Sequence, residues 1–449
     1  MANYQLSIKL GHVSLILNCQ LNKIVRKCVV IWEIFLTFVP ELEDGIMTYE
    51  LNILLAAVVA MVTSTLVFPR ALKFAKKHNI VDNPDARKLQ RVPVPVFGGM
   101  VVFTGILMGG LVLSNFMWNR VMMNTMVAMT VMMIIGTWDD ISNLSARFRF
   151  FVEILLVSAF MWYTGVYIDN LHGLWGVHAL SPWLGVPLSI IAGVGIINAV
   201  NLIDGVDGYS SGYGIMACLF FGCCFRTVWS PLMLGMVLVV ASALVPFFLH
   251  NVFGVKSKMF IGDGGTLMLG MMMMVCTFYS LSSKKPCSVL EHSGVCIPAF
   301  TLAVLCVPVA DTLRVMTMRM LRGNSPFSPD KTHLHHLFID MGYSHLGAGL
   351  SILLMNTCVM GVWYLSWKLG ASMDIQLYVV ILLGALITFG FYKFMKIQQA
   401  GGPVDEQGNP CGTKVWKFMR GLGGWTHRED KRFWKCMRKV ADWKIDNLI

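Results

Sequence analysis

Three short polar stretches hold most of the residues that could do chemistry. Asp139 and Asp140 stand side by side in Thr137-Trp-Asp-Asp-Ile-Ser-Asn-Leu-Ser-Ala-Arg147-Phe-Arg149. Asn201, Asp204 and Asp207 punctuate Asn201-Leu-Ile-Asp-Gly-Val-Asp-Gly208, and Asp263 sits in Gly262-Asp-Gly-Gly-Thr266. Carboxylate oxygens are the hard ligands that Mg²⁺ prefers. Two adjacent carboxylates repel each other unless a cation or strong donors lie close. The spacing of three places Asn201, Asp204 and Asp207 on one face, provided the preceding helix runs on through them. Glycines and a threonine opening a helix present backbone N–H groups, which suit a phosphate. Each stretch also has a plain reading: a helix-end feature for Asp139-Asp140, a simple turn for 201–208, and an N-cap for Asp263.

Two further stretches supply cations and donors. His333, His335 and His336 follow Arg319, Arg322, Asp330 and Lys331. This H-x-H-H run has no matching cysteine, so structural zinc does not fit it, and the histidines read as donors to phosphate oxygens. The segment from Asp82 to Gly99 carries Lys88 as a mobile cation. In it Pro93 and Pro95 fix an extended entry, and Gly98-Gly99 let the backbone pass close to a neighbour. Together the five stretches bring acids for a hard metal and cations for phosphates.

The elements that position them are apolar helices. The chain has 449 residues, of which 56% are hydrophobic and 14% charged, with mean hydropathy +0.64. A soluble domain carries about 25% charged residues. The expectation is an all-α polytopic membrane protein of about 11 transmembrane helices with catalytic cytoplasmic loops. The spans fall near 51–69, 97–117, 122–136, 150–168, 184–200, 212–225, 231–250, 264–282, 296–318, 346–366 and 376–395. Alternation puts all five polar stretches on the side rich in Lys and Arg, which the positive-inside rule assigns to the cytoplasm. The transmembrane domain is expected over 47–395. Residues 1–46 read as a dispensable interfacial extension, or as sequence ahead of a start at Met47. Residues 396–449 form a basic tail that is either solvated or laid on anionic lipid, with nucleic acid a poor third partner. Cys287 and Cys296 flank one outer loop, where a disulfide would be allowed.

In this order the stretches D-x-P-x-x-R-K…P-V-P-x-x-G-G, D-D, N-x-x-D-G-x-D-G, G-D-x-G and S-P-F-S-P-D-x-x-H-x-H-H resemble the polyprenyl-phosphate N-acetylhexosamine-1-phosphate transferases of glycosyltransferase family 4. The resemblance covers about residues 51–395. It implies transfer of a sugar 1-phosphate from a UDP-sugar to undecaprenyl phosphate in a bacterial inner membrane, with release of UMP. It also implies Mg²⁺ as cofactor, with Mn²⁺ as a substitute, and admits a homodimer. Leu334 interrupts the histidine run. That favours the branch that uses UDP-N-acetylglucosamine for envelope polysaccharides over the peptidoglycan branch that uses UDP-muramoyl-pentapeptide. Carried over by motif, Asp139 and Asp140 lie near the lipid phosphate and metal, and Asp263 is a metal ligand. Asn201, Asp204 and Asp207 hold the nucleotide. His333, His335, His336 and Arg319 contact pyrophosphate or sugar, and Lys88 faces the phosphates. The rival class is a transporter, supported by intramembrane Glu153 and the Asp311–Arg314 pair, with Pro246 as the one candidate helix break.

Overall fold

The computed structural model describes residues 47–82, 93–117, 119–326, 332–402, 412–426, 437–438 and 441–442. Residues 1–46, most of the basic tail, Lys88, Asp330 and Lys331 lie outside the described residues. Asn52–Ile449 form one compact unit.

A helix stands at each of the eleven expected places. In chain order these are α1 Met47–Lys77, α2 Gly98–Met117, α3 Arg120–Ser142, α4 Ala146–Thr164 and α5 Pro182–Leu202. Then come α6 Tyr209–Thr227, α7 Pro231–Phe253, α8 Gly262–Ser280 and the bent pair α9 Ile297–Val304 and α10 Cys306–Leu321. The short α11 Leu334–Asp340 precedes α12 His345–Lys368, α13 Met373–Ala400 and the tail helix α14 Lys414–Thr426. Among the described residues strand is confined to a two-residue hairpin, β1 Val81–Asp82 against β2 Val94–Pro95.

Seven of these helices are long and apolar enough to cross a bilayer, or eight if the bent pair counts as one span. The all-helical polytopic class therefore holds, while a count of about eleven spans does not follow. By length and composition α4, α6 and α8 fall outside that count. α4 opens with Arg147 and Arg149 and carries Glu153. α8 is buried along its whole length except at Asp263, enclosed by α2, α3 and α5, so it faces protein instead of lipid. Its approach to α3 is close because Gly136 has no side chain: a Cβ there would lie 2.4 Å from the Gly264 nitrogen.

Pro246 does not break its helix, since α7 runs through it. The break lies at Leu305, where α9 and α10 meet at 73°. Pro308 cannot donate to Val304, so that carbonyl needs other partners. Asn356 supplies them, donating Nδ2 to the carbonyls of Ala303 (3.3 Å) and Val304 (3.1 Å) and accepting from the Val307 N–H at 2.9 Å. Cys287 and Cys296 are separate buried thiols, so the outer-loop disulfide is not formed.

The loops sort to two ends. At one end, Phe260 N donates to the Pro95 carbonyl (2.8 Å), Asp263 N to Asp140 (3.0 Å) and Lys258 Nζ to Asp207 (2.6 Å). At the other, Ser283 N donates to Asp169 (2.6 Å), Trp175 N to Asp374 (2.8 Å) and Gln376 Nε2 to the Gly294 carbonyl (2.8 Å). This is the division that alternation predicts, and the polar stretches with described residues share one end.

Candidate active site

Asp139 and Asp140 occupy the last turn of α3, which Asn143 closes in the left-handed conformation. Their carboxylates have different tasks. Asp139 accepts from the Leu144 N–H (2.6 Å) and from Arg149 Nη1 (2.7 Å). Asp140 reaches across to α8 and accepts from the N–H groups of Asp263 (3.0 Å) and Gly264 (3.4 Å). Asp140 therefore caps α8 from another helix. Asp263 is thereby relieved of the capping role that its own position suggested.

Arg149 ties the two acidic stretches together. Its Nη1 also lies 3.3 Å from Asp263 Oδ2, and its Nε is 3.9 Å from Glu153 Oε1. Glu153, deep in α4, accepts from Asn198 of α5. In the sequence Arg149 is simply the last residue of the 137–149 stretch. Its place four residues before Glu153 and ten after Asp139 was the available signal.

The 201–208 stretch does not continue α5. The helix ends at Leu202, so Asn201, Asp204 and Asp207 do not share a helical face. They diverge instead. Asn201 is buried beside Asp263, and its side-chain amide is directed at that carboxylate. Asp204 accepts from Ser210 Oγ at 2.7 Å. Its surface is open to solvent although protein crowds it from most sides. That crowding, opposed by Ser210 and reinforced by Asp263, Asp207 and Asp82, pushes its carboxyl up to about 7. Three acids thus converge on this one carboxyl. Asp207 turns away to Lys258 Nζ (2.6 Å) and His345 Nδ1 (3.3 Å). Burial alone would raise Asp207, but His345 and Lys258 outweigh it and hold the carboxyl below its usual value.

The histidines come to the same place through Gly205. A Cβ on Gly205 would lie 2.1 Å from His335 Nε2, so the imidazole rests against that bare backbone, next to Asp204. His335 is flanked by His333 and His336, with ring centroids at 5.8 and 4.3 Å. Burial, with the neighbouring His336 and His333, holds His335 well below the usual histidine range, so it is neutral. His333 is oriented by Asp311, with Nδ1 3.0 Å from Oδ2, and the Leu334 N–H donates to the same oxygen at 3.2 Å. Asp311 also accepts from Arg314 Nη2 at 2.7 Å. The i, i+3 pair is therefore formed as its spacing suggests, and it also anchors the histidine segment. Arg319 is buried and donates Nη1 to the Pro326 carbonyl (2.7 Å), which holds the loop before the histidines.

The structure thus brings together Asp139, Asp140, Asp263, Asn201 and Asp204, with His335 adjoining. It sends Asp207 to Lys258 and Arg319 to the loop. Lys258, His345 and the Asp311–Arg314 support were not among the expected site residues. The oxygens present suit a hard divalent cation. Among the described residues, however, no three His, Cys, Asp or Glu are already arranged around a single metal position.

A helical membrane bundle with carboxylates, one bridging arginine and a histidine segment gathered at one end defines a membrane-embedded enzyme class acting on anionic substrates. The chain belongs to glycosyl transferase family 4, whose sequence model matches residues 122–281. It is 30% identical over 329 residues to a decaprenyl-phosphate N-acetylglucosaminephosphotransferase of Mycolicibacterium smegmatis, covering 67% of this chain and 78% of that protein. It is 28% identical over 376 residues to a probable undecaprenyl-phosphate N-acetylglucosaminyl 1-phosphate transferase of Bacillus subtilis, covering 82% and 97%. A third relative is the undecaprenyl-phosphate alpha-N-acetylglucosaminyl 1-phosphate transferase of Escherichia coli, 27% identical over 63% of this chain and 75% of that protein.

Proposed function

We propose that this protein transfers N-acetylglucosamine 1-phosphate, or a related N-acetylhexosamine 1-phosphate, from a UDP-sugar to undecaprenyl phosphate. It does so at the cytoplasmic face of a bacterial inner membrane. In net terms an oxygen of the lipid phosphate bonds to the sugar-bearing phosphorus, the bond from that phosphorus to the bridging oxygen breaks, and UMP leaves. The observation that carries the reading is the meeting of Asp139, Asp140, Asn201 and Arg149 around Asp263 at one end of a helical bundle. The names of the relatives point to the same chemistry.

Both substrates are anionic, so the site must offset their mutual repulsion. Arg149 and the histidine segment supply donors. Asp139, Asp140 and Asp263 supply the oxygens that would hold Mg²⁺, or Mn²⁺ in its place. When bound, that ion would neutralise the pyrophosphate and steady the leaving phosphate. A phosphate monoester has a second pKa of about 6, so the acceptor is largely dianionic near neutrality and needs no base. Asp139, held by Arg149 and the Leu144 N–H, fits positioning better than proton removal. Asn201, whose buried side-chain amide lies against Asp263, would steady that carboxylate.

The test is UMP release by the detergent-solubilised protein with undecaprenyl phosphate, Mg²⁺ and a panel of UDP-sugars. Release with UDP-N-acetylglucosamine but not UDP-muramoyl-pentapeptide is expected. Turnover of the pentapeptide instead would move the protein to the peptidoglycan branch.

A further inference from the structure

The basic tail contains a helix that the proposed reaction does not use. Helix α14, Lys-Val-Trp-Lys-Phe-Met-Arg-Gly-Leu-Gly-Gly-Trp-Thr, carries three cations and no acid. Its sides face three different surroundings. Trp416 and Gly423 are buried against protein. Lys414, Lys417 and Arg420, at i, i+3 and i+6, are exposed. Val415, Phe418 and Leu422, at i, i+3 and i+7, form an apolar stripe that is 43%, 65% and 44% exposed. An apolar stripe left uncovered beside a cationic face is the build of a helix lying in a membrane interface.

The position of α14 supports the same occupant. Thr413 N donates to the Gln398 carbonyl at 3.0 Å, so α14 starts beside the last turn of α13. That turn is where the final long apolar helix ends, at the same end of the bundle as the candidate site. Asp442 returns to this end too, accepting from the Ser257 N–H (3.2 Å) and Oγ (2.8 Å). A second copy of the chain is a poorer occupant, because it would bring the same cations to the contact.

We propose that α14 docks on the surface of its own bilayer, with Val415, Phe418 and Leu422 among the acyl boundary and Lys414, Lys417 and Arg420 on anionic phospholipid headgroups. The buried side of the helix extends the consequence to the site. A Cβ on Gly423 would lie 2.7 Å from the Met341 carbonyl and from Tyr343 Cδ2, so α14 is pressed on the turn that follows α11. α11 carries His335 and His336, and its last residue Asp340 accepts from Lys396 of α13 at 2.8 Å. Lipid docking therefore braces the histidine segment.

Amide hydrogen exchange of residues 414–426, in the full chain, tests this. The protein is compared in detergent, in phosphatidylcholine nanodiscs and in nanodiscs containing phosphatidylglycerol. Exchange is expected to slow by about tenfold or more with phosphatidylglycerol. A K414E/K417E/R420E variant loses that protection. A Phe418→Ser/Leu422→Ser variant loses it with the charges intact. Equal exchange in all three environments would overturn the proposal, as would protection that follows the number of protein copies per disc instead of lipid charge. The exchange readout does not depend on the transferase reading; only the bracing of the histidines does. Failure of either is therefore seen separately.

Discussion

Arg149 is the cation that Asp139 and Asp263 share, and removing it leaves two carboxylates facing each other without a counter-ion. Arg149→Ala is expected to lower kcat/KM by on the order of 10²-fold, the scale of a lost electrostatic contact at a reacting phosphate. Arg149→Lys is expected to recover only part, because an ammonium lacks the planar fork that serves two acids. Kinetics on purified, folded variants checks both. Asp311 is a different case. Its buried carboxylate serves Arg314, His333 and the Leu334 N–H, so Asp311→Ala strands a buried guanidinium. A loss of about 3 kcal/mol or more is expected, read as a fall in the thermal midpoint. His335 sets a pH signature. Its folded pKa is depressed well below the usual value, so the unfolded chain binds a proton below about pH 6.5 that the native protein does not. Stability is therefore expected to fall as pH drops through 6.5 and below, with a slope of at most about 1.4 kcal/mol per pH unit from this group. His335→Gln should flatten that limb of the midpoint-versus-pH curve. An unchanged limb would assign it to another group.

The helices act by holding backbone ends against one another, and glycine makes the closest approaches. A methyl on Gly136 would meet the backbone of Gly264, which cannot yield without moving α8. Gly136→Ala is expected to cost about 1–3 kcal/mol and to loosen the Asp140 cap on α8 together with the acids beside it. Thermal unfolding and UMP release measured on the same preparation would register both losses. The placing of these elements was largely legible in the sequence. Long apolar runs marked the helices, and the alternation of loops put the polar stretches at one end. What was not legible has physical reasons. The spacing of Asn201, Asp204 and Asp207 suggested one helical face, but the glycine-containing turn ends α5 at Leu202 and sends the side chains to different partners. The Leu305 break was invisible because its stabiliser, Asn356, comes from a helix about fifty residues further on. Arg149 and Lys258 belong to no spacing pattern of their own, and only the fold shows which acids they meet.

At the scale of the whole molecule, the bundle separates a site end from an opposite end, and each end has its own loop network. A single cysteine introduced at Asn143 and one introduced at His178, both exposed, should label from opposite sides of sealed vesicles in a background lacking the native exposed thiols. Labelling of both from one side would contradict the placement. The Lys- and Arg-rich loops gather at the site end, the end that the positive-inside rule predicts to face the cytoplasm, as the proposed chemistry requires. In the proposed reaction a water-soluble nucleotide sugar meets a lipid phosphate at that surface. The most direct test of this account uses UDP-N-acetylglucosamine labelled in the phosphate next to the sugar. Sugar 1-phosphate transfer carries that label into the lipid phase and releases unlabelled UMP, and Asp263→Asn should abolish both while the protein stays folded. Label leaving as UDP, with unlabelled sugar on the lipid, would contradict the account, because the bond broken would then be the one between sugar and phosphate.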